Sequence, residues 1–367
     1  MTLKIEKPDI DFRSKFLELE KKTGVHGSRL LQAETSYEAQ NLLGVGRRNM
    51  CVNGAFEIWQ KGSTHVKNSN GYSYNFAPDQ WFVYFAGTYE RGEDFIPNGQ
   101  RVRTLKYTIN QVTGVERPNF STIVENGAHL VGKGPITLSW WQRASKEAPT
   151  GIRPRAYSAN SGEFSGSYSV ATPAIVNDYD VPITTYWQYK TKVLRPDSNM
   201  SNFDHLVIEM DGDSTHWQGG DWIEIANFQI ERGDVATEFE YKSYGEHLRE
   251  CQRYLWSPYL DPDAVNNSGG LSSGGYLGVY NTTSRITLHV PYPVTMAKRP
   301  SVNTSKTNPQ LAYNVAFVAG GLTGVFDSLE HAGQNSSVLN FSSLSTTNPV
   351  GTPVSAAYLG LEFEAQL

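Results

Sequence analysis

Cysteine is almost missing from this sequence: Cys51 and Cys251 are the two in 367 residues. Two thiols separated by most of a domain's length make no disulfide framework, and their scarcity suits assembly in a reducing cytosol. No run of about 18 apolar residues occurs, which is the length a membrane-spanning helix needs, so insertion into a membrane is not expected. The first ten residues are charged and lack the apolar stretch of a secretory leader. Clustered positive charge is lacking too. Arg47-Arg48 and Lys298-Arg299 are isolated pairs in a chain of net charge −5, which leaves no pull toward a polyanionic backbone and removes nucleic acid from the expected partners.

What the sequence does hold is apolar and aromatic. Hydrophobic residues make up 39% and aromatics 12%, with 20 Tyr and 8 Trp, so disorder is excluded as the main state. At roughly 100–200 residues per domain the length leaves room for two compact domains and a short appendage. Residues 1–47 carry helical spacing: Phe12, Phe16 and Leu19 share a face, and a second helical stretch covers Ser28 to Leu42 before Gly44 and Gly46. Helices this short need something to dock on.

From 48 to 242 the texture changes to short alternating runs punctuated by Gly, Pro, Asn and Asp. Ile136, Leu138 and Trp140 fall on one face of a strand, as do Leu206, Ile208 and Met210. Many short strands without helical periods between them predict a jelly-roll β-sandwich. One helix interrupts: Ser243 and Glu246 form a capping box, and Leu248, Cys251, Tyr254 and Leu255 line a face until Pro258. Residues 243–257 therefore read as a connector, and 258–367 as a second β domain. There Ile286, Leu288 and Val290 alternate inward, and Leu359, Leu361, Phe363, Ala365 and Leu367 share one face of a terminal strand. The fold class expected is mainly β, with a helical N-terminal segment and a helical connector.

Motifs of catalysis are mostly lacking. Gly270-Leu271-Ser272-Ser273-Gly274 matches the nucleophile elbow in letters alone, because it sits in a Ser/Gly loop and not between a strand and a helix. Glu209, Asp211, Asp213 and Asp221 could offer oxygen ligands to calcium, yet without the ligand spacing of a calcium loop a solvated turn is the commoner use. His247 and Cys251 lie four apart on the connector without further zinc ligands, so a surface imidazole and a core thiol are expected. No cofactor is expected, and the metal question stays open.

The aromatics suggest more. Tyr72, Tyr74, Trp217, Tyr276 and Tyr280, with Trp59, Trp256 and Tyr259, lie near predicted loops or strand ends. There flat rings could stack on the apolar faces of sugars while neighbouring Asn, Asp and Gln bond the hydroxyls. Core packing or a subunit contact competes for each ring.

Three segments carry a resemblance. The first is Asn53-Gly54-Ala55-Phe56-Glu57-Ile58-Trp59-Gln60-Lys61-Gly62, followed by Phe76-Ala77-Pro78-Asp79-Gln80-Trp81. The second runs Trp222-Ile223-Glu224-Ile225-Ala226-Asn227-Phe228-Gln229-Ile230-Glu231-Arg232-Gly233 and on through Ala236-Thr237-Glu238-Phe239-Glu240 to Tyr244-Gly245-Glu246 and Cys251-Gln252-Arg253-Tyr254. The third is Val290 to Pro300. Together they resemble bacteriophage tail-fibre proteins with a carbohydrate-binding-module-like jelly roll, over roughly residues 48–367; Lys61, Pro78 and Gln80 depart from the family's pattern. The resemblance implies a virion appendage, assembled in the host cytoplasm as a homotrimer. Residues 1–47 would dock on another virion protein, and the C-terminal β domain, 258–367, would be the receptor-binding one that touches a bacterial surface polysaccharide. It carries no catalytic residue onto this chain, so a non-enzyme is expected; a structural neck or capsid fibre and a glycan depolymerase are the alternatives.

Overall fold

The computed structural model describes residues 48–71, 77–110, 118–130, 132–159, 181–196, 205–212, 215–256, 276–303, 315–318, 322–342, 348–359 and 362–365. The helices expected within 1–47, and the loop holding Ser272, lie outside the described residues. Every strand pair among them is antiparallel. Strands β1 (Thr64–Lys67), β3 (Gly87–Phe95), β4 (Arg101–Thr108), β11 (Trp222–Arg232), β6 (Ile136–Ala144) and β9 (Gln188–Leu194) form a six-stranded sheet in that order. Against it lie β2 (Trp81–Phe82), β5 (Asn119–Val124), β10 (His205–Gly212), β7 (Ala148–Ala159) and β8 (Val181–Ile183), again in spatial order.

Alternation explains how the two sheets meet. Leu138 and Trp140 of β6, Ile223 and Ile225 of β11, and Ile208 and Met210 of β10 belong to one buried cluster, as the period of two in the sequence requires. β11 is buried on both faces, and its register slips between Ala226 and Gln229. Asn227 takes a positive φ of 48° there, a bulge that swings Phe228 back into the core. Residues 49–54 hold the bulge: Phe228 donates its amide to Gly54 O at 2.8 Å, and the Asn49 side chain accepts from Ile230 N at 3.1 Å. A Cβ on Gly54 would stand 2.0 Å from the Phe228 carbonyl oxygen, so only glycine lets the two backbones approach this closely.

After the sandwich, helix α1 (Tyr244–Gln252) starts at the Ser243–Glu246 capping box read from the sequence. It ends at Gln252, three residues before the last apolar position of the expected face, because Leu255 and Trp256 form a strand, β12, and not a last helical turn. His247, expected on the surface, is buried beside Cys251 on the inward face of α1. The remainder closes on itself: β13 (Tyr276–Thr282), β14 (Arg285–Pro291), β18 (Ser336–Ser342), β17 (Leu322–Ala332), β16 (Val315–Val318) and β19 (Pro353–Leu359) form a six-stranded barrel. Ile286, Leu288 and Val290 point into it with Tyr280, Leu339 and Phe341, which bears out the alternation seen in the sequence.

The single terminal strand expected from Tyr358 onward is two strands. β19 ends at Leu359 in the barrel, whereas β20 (Glu362–Glu364) joins β12 and β15 (Ser301–Asn303) in a separate three-stranded sheet. Phe363 stacks on Trp256 at 5.1 Å and meets Tyr292 at 5.2 Å, so burial of that aromatic trio draws β20 out of the barrel wall. Where the sandwich meets this sheet, Lys61 forms an ion pair with Glu364, and the Gln60 amide donates to Leu255 O at 2.7 Å.

Candidate functional site

The side chains of the six-stranded sheet that turn away from the core form a strip. Register sets Glu90 of β3, Lys106 of β4, Glu224 of β11 and Arg143 of β6 abreast, four charges of alternating sign. One step along the strands come Gly92, Thr104, Ala226, Trp141 and Tyr189. On the other side of the charged row lies Trp222, level with Thr108.

Arg143 is the centre. Its Nε donates to Glu224 Oε2 at 2.8 Å, and its Nη2 lies 2.6 Å from Asp94 Oδ2 and 2.7 Å from Glu224 Oε2. The guanidinium carbon sits 4.6 Å from the Trp187 ring centroid and 5.7 Å from that of Trp222, a cation held between indole faces. Trp187 also donates its indole N–H to Asp94 Oδ2 at 3.2 Å, and it packs with Val102 and Ala226. Burial alone would raise the Asp94 carboxyl, but the Phe95 amide, the Trp187 indole and Arg143 outweigh it and hold the group below its ordinary value. Thr104 Oγ1 donates to Glu224 Oε1 at 2.6 Å. Gly92 leaves the space for that bond: a Cβ there would stand 2.2 Å from Thr104 Oγ1 and 2.8 Å from Glu224 Oε1.

Around this fixed polar centre three rings keep a face or edge to solvent. Tyr189 is 44% exposed, and its ring lies 5.4 Å from that of Trp141. Trp141 and Trp222 are half-buried, and among the described residues neither indole N–H has a protein acceptor. Lys106 lies over Trp222 at 5.4 Å. Half-exposed rings, free indole donors and pre-oriented carboxylates suit a ligand that is apolar on its flat faces and hydroxylated at its rim.

The residues singled out from the sequence fall elsewhere. Tyr72, Tyr74 and Tyr259 lie outside the described residues. Trp217 is 4% exposed within the sandwich core, and Tyr280 is 2% exposed inside the barrel; rings so enclosed present no face for stacking, and hydrophobic burial has claimed them. Trp59 and Trp256 are core residues as well. The backbone of Tyr276 opens β13 opposite Ala356. Of the acids considered for calcium, Asp211 pairs with Arg153 at 2.7 Å, Glu209 with Arg155, and Asp221 with Lys146 at 2.5 Å; Asp213 lies outside the described residues. A signal for the exposed strip was present in the sequence. Trp140 and Trp141 are consecutive on a strand, so if one ring enters the core the other must face out.

A second concavity, of about 280 Å³, lies between residues 49–52, the end of β5 and α1. Its polar groups are committed to one another: Arg253 clamps Glu125 through both nitrogens at 2.8 and 3.0 Å, and Tyr254 OH donates to the same carboxylate at 2.6 Å. Its thiol, Cys51, is pushed up to about 12 by burial, which removes thiolate chemistry at neutral pH. This is a structural joint between sandwich and helix.

The described residues thus define an antiparallel β protein, a two-sheet sandwich followed by a closed six-stranded barrel. No family model matches the chain, and no curated protein matches it. Among solved structures it is similar to an arabinose-bound α-L-arabinofuranosidase (TM-score 0.32, 12% identity), of which it spans 26% while half of this chain, 50%, is covered. A putative sugar binding protein from Bacteroides thetaiotaomicron gives TM-score 0.31 at 10% identity, covering 51% of this chain and 100% of the other. The CBM22-2 xylan-binding domain from Paenibacillus barcinonensis Xyn10C gives 0.29 at 14% identity, covering 41% and 91%. Scores this low carry no functional argument, and the strip stands on its own geometry.

Proposed function

We propose that the chain is a non-enzymatic adhesin, a tail-fibre or receptor-binding appendage of a tailed bacteriophage that holds a host surface glycan through the outer face of its six-stranded sheet. The observation that carries this reading is the strip itself, in which Trp141, Trp222 and Tyr189 surround a rigid Arg143 centre. The three-segment resemblance supports the virion setting and the homotrimer, with residues 1–47 as the attachment to the particle. One shallow site binds a sugar weakly, and three on one fibre raise the effective concentration of each later contact.

Cleavage of the glycan is the less favoured reading because of the carboxylates. A glycosidase needs one protonated carboxylic acid beside a second, ionised one. Here Asp94 and Glu224 share one guanidinium, and Asp94 is held below its ordinary value, so it stays ionised near neutral pH.

A printed glycan array probed with the full chain tests the reading. Binding that Trp141→Ala and Trp222→Ala each weaken at least about tenfold, a loss of ~1.4 kcal/mol, is expected, with no new reducing ends when host polysaccharide is incubated with the protein. Sedimentation should give three copies per particle. Undiminished binding in both variants would remove the strip from the function.

A further inference from the structure

Resting on that adhesive reading, we infer that the strip is built to select neutral glycans and to turn away those bearing carboxylate, sulfate or phosphate. The reason lies in how its charges are spent. Both cations are already matched: Arg143 lies against Asp94 and Glu224, and Lys106 Nζ lies 3.7 Å from Glu90 Oε2. With Asp94 beside the row, three carboxylates to two cations give the strip a formal net charge of −1. Asp94, with 32% of its side chain exposed, and Glu90, with 38%, are the acids that meet solvent, whereas Glu224 lies beneath at 5%.

A sugar hydroxyl approaching Asp94 donates a charge-assisted hydrogen bond to an acceptor held in place, and one approaching Glu90 meets a solvent-facing carboxylate beside Lys106. An anionic substituent in the same place meets a like charge, and among the described residues the cations of the strip, Arg143 and Lys106, are already paired. Like-charge juxtaposition is a common way in which a surface rejects the wrong partner while leaving the right one untouched. Asp94 cannot swing aside to relieve the clash, because its two oxygens are fixed by the Phe95 amide at 2.7 Å and by Trp187 and Arg143.

If the acids are the gate, removing their charge while keeping their shape should open it. The full chain and the double variant Asp94→Asn/Glu90→Gln are compared on one array that carries neutral glycans beside uronate-, sialate- and phosphate-bearing ones. The wild-type signal is expected on neutral glycans alone, and the variant, whose row now carries an uncompensated positive charge, should gain at least about tenfold on uronates. An anionic glycan among the strongest wild-type ligands overturns the inference and leaves the adhesive reading intact, as does a variant with no gain on uronates. A blank array for both proteins overturns the adhesive reading, and the inference falls with it.

Discussion

Gly92 shows how much one missing methyl group arranges. The Thr104 hydroxyl and a Glu224 oxygen occupy the place a side chain would take, and their mutual hydrogen bond fixes the carboxylate that holds Arg143. Gly92→Ala should therefore cost about 1–3 kcal/mol of stability, the usual range for overpacking. It should also weaken glycan binding several-fold by tilting Glu224 off the guanidinium; urea midpoints and array titration read the two effects separately. Asn53 works in a similar way inside the resemblance's first segment. It takes a positive φ of 56°, its amide donates to Ile58 O at 2.8 Å and Asp79 O at 3.0 Å, and its oxygen accepts from Ile58 N at 3.0 Å. The Asn-Gly pair is thus a buried fastener, and nothing about it reaches a ligand.

At the scale of elements, strands with clean alternation were legible: β6, β10 and β14 stand where their apolar periods put them. The capping box likewise placed the start of α1, since both halves of a local hydrogen-bond exchange are written within four residues. What could not be read depends on distant partners. Leu255 fits a helix face as well as a strand, and pairing with Glu364 decides the matter. Barrel closure rests on β13 meeting β19 across most of the barrel's sequence, which no local pattern announces. The strip was missed because its members come from β3, β4, β6, β9 and β11 and the loop holding Trp187, and aromatic content alone does not tell an outward ring from a core one.

His247 on α1 yields a pH test at the same scale. Burial, with Lys242 nearby, lowers its pKa from the ordinary 6.5 against the smaller pull of Glu250 and Glu246. A folded-state value below the unfolded one means that the unfolded chain takes up the proton first as pH falls. The stability contribution is present above about 6.5 and drains away as pH drops toward the folded value. Urea midpoints of the wild type should therefore fall more between pH 7.5 and 5.5 than those of His247→Gln; equal slopes would show that His247 does not titrate with folding.

For the molecule as a whole, the decisive contacts join the sandwich to the three-stranded sheet beside the barrel. Lys61 is enclosed against Glu364, with 2% and 22% of their side chains exposed, and Asp79 accepts from Gln60 N at 2.9 Å while Gln60 reaches across to Leu255 O. Lys61→Met leaves Glu364 without this cation and should cost about 2 kcal/mol, less than a fully buried pair because Glu364 keeps some water. The double variant Lys61→Met/Glu364→Gln should recover part of that loss, and the difference measures the coupling by denaturant unfolding. Strict additivity would mean that the pair couples nothing.

β12 and β20 lie side by side in the three-stranded sheet. The polypeptide therefore leaves for the barrel at Trp256, returns once to lay β15 against β20, and comes back again at Glu362 beside β12. Two spans of chain that depart from and return to one small sheet can each change length while that sheet keeps its seat. The barrel is in this sense an insertion, whose size can change while the sandwich sheet that carries the aromatic strip is left as it is.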